Sequence, residues 1–318
     1  MRPDVAYENN YFATEKPLLP GEETVYNFYE SNPRLRAGRD WRVQLILMDN
    51  FRDVHGRNAL EEDRKKVISH YEQKKTDFNK RGELMEYLLS ETENADWFGE
   101  NCSICRASKF DDIKNFTDLV FEWEEADEIC RLAVDCTVSG DEAKLDQKAR
   151  GIMRQVYRGD LSSLKYHTSP LDEKKEALFQ VPKVLLILDQ SAIGDLSKIF
   201  SKIIKKESGA NSAFGEFYIQ LVLLREMEFQ LDYQLGELMK AINEKKRKGQ
   251  LDKEELRINA HKKINRVLDI IRNLIKEKES SLDLVNVQRA SVLWEESPYC
   301  QYLRSLPLKL NRANWDRP

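Results

Sequence analysis

Asp118 and Asp135 are the residues of this sequence whose surroundings call for chemistry. Asp118 opens the alternating run 117–123, and Asp135 lies in the middle of the apolar run 131–138, 17 residues later. Each run reads as a strand, and the polar turn 124–129 between them makes an antiparallel hairpin. Alternate side chains of a strand share a face, so Asp135 and Thr137 point one way and Cys136 the other. A carboxylate in an apolar strand is costly to bury unless something offsets its charge. A divalent cation would do so, held by Asp118, Asp135 and a glutamate of the preceding helix, Glu83 or Glu86. An all-oxygen donor set of this kind suits Mg²⁺ or Mn²⁺. The plainer alternative has Asp118 capping a turn, Asp135 paired with a nearby Lys or Arg, and both glutamates on a solvated helix face.

This constellation resembles the PD-(D/E)XK nuclease-like superfamily. The resemblance is carried by Asp118 within residues 115–120 (Asn-Phe-Thr-Asp-Leu-Val), by Asp135-Cys136-Thr137 in place of (D/E)-x-K, and by a glutamate, Glu83 or Glu86, on the helix before them. Residues 107–113 also resemble the stretch before the acidic strand in bacterial members with a D-x-T variant. The resemblance implies a restriction-endonuclease-like core of αβββαβ order around a small mixed sheet. It further implies a Mg²⁺ or Mn²⁺ site on Asp118, Asp135 and Glu83 or Glu86, and hydrolysis of phosphodiester bonds in DNA or RNA. The superfamily lysine, which positions the attacking water, is missing here, and Thr137 stands in its place. Its hydroxyl can bond a ligand water but brings no charge. A lysine from a neighbouring element would have to serve. Lys148, on the helix after the hairpin, is the first substitute, with Lys144 one turn earlier as a fallback; Lys165 is the second. With no lysine in reach, the chain would be a catalytically inactive nuclease-fold adaptor working through its C-terminal helices.

The elements that must position these residues are legible from periodicity and punctuation. Residues 1–25 lack periodicity and read as an extended arm. Helices are expected over 22–31, 41–51, 58–79 and 83–91, with Leu84, Leu88 and Leu89 of the last facing a core. After the hairpin, Ser139-Gly140 breaks the chain, and a helix follows over 142–157, ended at Arg158-Gly159. Residues 161–167 read as a short strand, and 181–189 as a strand buried on both faces. Two long helices, 214–243 and 253–278, read as an αα-hairpin, followed by an irregular tail over 297–318. The fold class is thus α+β or α/β, in three parts: an N-terminal arm and helices (1–81), a nuclease-like core (82–200), and a C-terminal helical hairpin with its tail (201–318).

Composition bounds the rest. Hydrophobic residues make up 41% and charged residues 33%, enough apolar material for a real core. The net charge of −4 excludes a basic nucleic-acid clamp as a description of the whole chain. Charge is unevenly spread: residues 81–140 hold five Lys/Arg against fifteen Asp/Glu, whereas 200–280 hold seventeen against thirteen. The acidic stretch repels phosphate unless a cation intervenes. The basic clusters around Lys205, Lys246 and Lys263 could contact a nucleic-acid backbone or simply complement helix ends. Five cysteines, an odd number in a large charged chain, point to reduced thiols and the cytoplasm. Cys102 and Cys105 have zinc-like spacing, but Cys130 and Cys136 make a poor second pair. No apolar run approaches the ~18–20 residues of a membrane span. A homodimer through the C-terminal helices is a further expectation.

Overall fold

The computed structural model describes residues 17–33, 35, 40–73, 80–126, 128–138, 142–247, 254–296, 301–302 and 304–305. Most of the expected arm, the end of the helix expected over 58–79 and most of the tail lie outside them. The chain opens with α1 (Pro20–Ser31), α2 (Trp41–Leu47), α3 (Arg57–Gln73) and α4 (Lys80–Glu91). Proline in the first turn suits α1, because its missing N–H would have had no helical partner. Glu22 accepts the Leu19 N–H at 2.7 Å and closes that end. The same carboxylate meets the Arg81 guanidinium at 2.9 Å, a buried pair that ties α1 to α4.

Four strands form one mixed sheet in the order β1 (Cys102–Arg106), β2 (Leu119–Glu125), β3 (Glu128–Thr137) and β6 (Lys183–Ile187). The first three make an antiparallel meander, and β6 runs parallel to β3 with Lys183 opposite Ala133 and Leu185 opposite Asp135. The short helix α5 (Lys109–Asn115) links β1 to β2, and α6 (Glu142–Arg158) follows β3. Between α6 and β6 comes a separate two-stranded hairpin, β4 (Ser162–Thr168) with β5 (Lys175–Val181). Both faces of the main sheet are covered. Leu119, Phe121, Leu132 and Val134 join the main core, while Val120 and Ala133 pack on Leu164, Leu178 and Val181 of the small hairpin.

Two readings of the strands are corrected here. The run 181–189 is two strands, because Pro182 has no N–H to continue a ladder; Val181 closes β5 and Lys183 opens β6. The strand expected at 161–167 is β4, and it pairs with β5 outside the main sheet. Its place there is taken by β1, whose five residues carry the Cys102–Cys105 spacing and little β-branched character.

The final third is helical: α7 (Gln190–Ile204), α8 (Ala210–Gly215), α9 (Ile219–Arg247), α10 (Glu254–Ser281) and α11 (Leu284–Glu296). Asp189 caps α7 by accepting the Ala192 N–H at 2.7 Å. The long pair α9 and α10 pack together as expected, with Ile264, Val267, Leu268 and Ile271 buried. The expected start of α9 at 214 moves to 219, since residues 210–215 form a helix of their own. One core runs from Val25 and Tyr29 through the sheet to Ile271 and Ala290, so the boundaries at 82 and 201 divide the chain in sequence but not in its core.

The sheet edge at β6 is sealed by side chains instead of a fifth strand. Gln230 of α9 accepts the Leu185 N–H at 2.9 Å and donates to the Leu185 carbonyl at 2.7 Å. One turn on, Gln234 donates to the Lys183 carbonyl at 2.8 Å; one turn back, Glu226 accepts the Ile187 N–H at 3.2 Å. The spacing of four along the helix matches every second residue of the strand closely enough for three successive contacts. Among the described residues, no helix is long and apolar enough to cross a membrane.

Candidate functional site

The site lies where β2 begins and β3 ends. Asp118 stands one residue before β2, and extending the pairing one step sets it opposite Asp135 on the same sheet face. Asp118 Oδ2 accepts the Cys136 N–H at 2.6 Å, which fixes the carboxylate against β3. Asp135 is 3% exposed, yet it is compensated: Lys148 Nζ lies 2.6 Å from its Oδ1. The sequence of α6 explains that contact. Leu145, Ala149, Ile152 and Val156 form its buried stripe, and Lys148, beside Ala149, is carried to the sheet by the same packing.

Glu86 completes the acidic group. Burial pushes its carboxyl up, and the neighbouring charges of Asp112 and Asp135 push the same way. Asp118 is raised well above the usual carboxylate range, first by burial and then by Glu86, Asp112 and Asp135, with the Cys136 N–H opposing. Burial raises Asp135 as well, against the pull of Lys148 and Lys183. The cations respond in kind. Burial works against the ammonium of Lys148, but Asp135 outweighs it and holds the group above its usual range. Lys109 behaves likewise between Asp112, at 2.9 Å, and Glu86. Lys183 is 6% exposed and lowered by burial; it donates to the carbonyls of Asn115 and Phe116 at the end of α5.

Of the residues singled out in the sequence, Glu86, Asp118, Asp135 and Lys148 come together. Glu83 lies on the same helix, and Tyr71 feels its charge together with those of Glu86, Asp112 and Lys109, but it is not among the main charges acting on Asp118 or Asp135. Thr137 ends β3 opposite Ile187, and its carbonyl accepts the Leu188 N–H. Lys165 goes elsewhere: its ammonium meets the buried Asp63 at 2.5 Å and leans on the Phe110 and Tyr166 rings. His167 is a buried partner of Glu122 at 2.8 Å. Cys102 and Cys105, three apart on β1, point to opposite faces, which ends the zinc reading for that pair. Lys109, Asp112 and Lys183 were not visible in the sequence as site residues. Lys109 and Asp112 look like an ordinary helix pair three apart, and Lys183 joins only because β6 aligns beside β3.

The donor set is all carboxylate, with Asp135 buried and Asp118 and Glu86 half-buried, and its charges repel one another, which fits a hard divalent cation in kind. As the side chains stand, no three His, Cys, Asp or Glu residues among those described form a ready coordination shell. The repulsion has a measurable consequence. A carboxyl raised in the folded state contributes stability below its unfolded pKa of ~4 and loses it as pH climbs through the folded value. Glu86→Gln and Asp118→Asn are therefore expected to stabilise the metal-free fold by about 0.5–2 kcal/mol near pH 8. The gain should vanish near pH 4, as read from Tm across that range in EDTA. No family model matches this chain, and neither a curated protein nor a solved structure matches it.

Proposed function

We propose that this chain is a metal-dependent hydrolase of phosphodiester bonds in DNA or RNA, built on a PD-(D/E)XK-like core. The observation that carries the reading is the Lys148 ammonium on Asp135, beside Asp118 and Glu86. A cation from α6 stands where Thr137 leaves the motif without one. The order of the sheet-forming unit, α4, β1 to β3, α6 and β6, agrees with the αβββαβ arrangement that the resemblance implies. Asp118, Asp135 and Glu86 would hold Mg²⁺ or Mn²⁺, which lowers the pKa of bound water and offsets charge on the phosphate. Lys148 positions the attacking water through its bond to Asp135. Lys183 and Lys109 reduce the acidity that would otherwise repel the substrate.

Basic residues beyond the site supply backbone contacts. Lys202 in the last turn of α7, with Lys205 and Lys206 after it, and Lys246 at the end of α9 suit that part. Lys263 and Arg266 are less available, since Lys263 donates to the Phe179 carbonyl and Arg266 pairs with Glu128. The odd number of cysteines in a large charged chain suits reduced thiols and a cytoplasmic setting. A homodimer would use the C-terminal helices, which leave Leu284, Val285 and Val292 exposed.

Incubation with single- and double-stranded DNA and RNA tests the reading. Cleavage is expected with Mg²⁺ or Mn²⁺ and none with EDTA. No cleavage of any of the four substrates with either metal would favour the adaptor instead, in which the Lys148–Asp135 pair is purely structural.

A further inference from the structure

Phe116 sits where a bulky side chain costs stability and gains little packing. It follows α5 with φ 52° and ψ 45°, the left-handed region that bulky side chains rarely enter. Glycine or asparagine is the usual residue at such a helix end. The residue is 62% exposed, so burial does not offset the strain. The conformation is imposed from both sides. The buried ammonium of Lys183 donates to the carbonyls of Asn115, at 2.7 Å, and of Phe116 itself. Thr117, the next residue, is fully buried, and Asp118 follows it into the site. Strain held in place by its surroundings is a mark of ligand clamps. Here it holds an aromatic face out to solvent, on a rigid segment two residues from a carboxylate proposed to act on phosphate.

We propose that Phe116 is the stacking platform for a nucleobase beside the scissile phosphate, and that the substrate is therefore unpaired DNA or RNA. The inference rests on the nuclease reading above. A base within a duplex has both faces covered, whereas an unpaired base offers one to an aromatic ring. Phenylalanine has no donor or acceptor to read a base edge, so this contact brings affinity without sequence preference. The ring holds the nucleotide while Lys148 and the acids face its phosphate.

The test measures binding of the full chain to labelled single-stranded DNA and RNA in Ca²⁺, which can offset the acidic site as a hard cation, by fluorescence anisotropy, alongside cleavage in Mn²⁺. Phe116→Gly should weaken binding about 5- to 150-fold, the range expected for loss of one base–aromatic stack. Its Tm should be unchanged or raised, because glycine relieves the left-handed strain. Phe116→Tyr should bind within about twofold of wild type, since the ring is retained. An oligonucleotide with one abasic position should lose the same factor with wild type and nothing further with Phe116→Gly. Unchanged binding by Phe116→Gly, in a wild-type background that cleaves, would overturn the inference and leave the nuclease reading standing. A lowered Tm together with lost binding in both Phe116→Gly and Phe116→Asn would make the residue structural and overturn it too. A wild-type chain that neither binds nor cleaves would overturn the nuclease reading and this inference with it.

Discussion

Lys148→Ala is expected to lower metal-dependent cleavage by roughly 100- to 10,000-fold, the range for removing a positioned group that acts on the attacking water. The reason lies in Thr137. The strand that carries Asp135 brings no cation of its own, and Lys148 is the lysine whose ammonium reaches that carboxylate. The same substitution disturbs the fold, because a buried Asp135 loses its bonded partner. Breaking a fully buried pair costs ~3–5 kcal/mol. Lys148 is 31% exposed, so water screens part of the loss and about 1–2 kcal/mol is a fairer expectation. Single-turnover rates at a temperature where both proteins are folded separate the two effects. Lys148→Arg restores the charge and the ion pair but not the shape of the ammonium, so it should recover stability more fully than rate. Lys165→Ala should leave the rate within about threefold of wild type while lowering Tm, since it uncouples Asp63 and does not touch the site. Lys246→Ala should weaken substrate binding in a salt-dependent way without changing the chemical step. Cleavage that survived Lys148→Ala and died with Lys165→Ala would transfer the role to Lys165.

Gln230→Leu is expected to destabilise the protein by about 2–4 kcal/mol, measured by urea unfolding. Leucine fits the volume but offers neither donor nor acceptor, so the N–H and the carbonyl of Leu185 both lose their partner within the protein interior. Each such orphaned group costs ~1–3 kcal/mol. Gln234→Leu removes one contact, to the Lys183 carbonyl, and should cost about half as much. The effect should also reach the site. Leu185 is the β6 residue opposite Asp135, and Lys183 begins the same strand, so a loosened edge lets two site residues drift. Reduced cleavage by Gln230→Leu at a temperature where it remains folded would show that coupling. A Gln230→Leu protein as stable as wild type would mean that water or a backbone shift replaces the glutamine.

Local periodicity is enough to read most of the elements and to bring Asp118 and Asp135 together. Alternation in 117–123 and the apolar run 131–138 sufficed for the hairpin, and the register of a short hairpin then places Asp118 and Asp135 on one face. The breaks at Ser139-Gly140 and Arg158-Gly159 sufficed to delimit α6, and its place directly after the hairpin sufficed to bring Lys148 over the sheet. These signals are local, because side-chain direction repeats every 2 residues in a strand and every 3.6 in a helix. Which elements become neighbours is set by long-range packing and has no local signal. Glu86 joins the acids because α4 settles on the core through Leu84, Met85, Leu88 and Leu89, whereas spacing alone leaves Glu83 and Glu86 as alternatives. Lys165 was a reasonable substitute in sequence, but β4 leaves the main sheet to pair with β5, and the buried Asp63 captures its ammonium. Lys183 was invisible, since a lysine after a proline carries no signal until β6 lies parallel to β3. The sealing of β6 by Gln230 and Gln234 was equally hidden, because their partners are backbone groups 45 and 51 residues away, which no local periodicity can register.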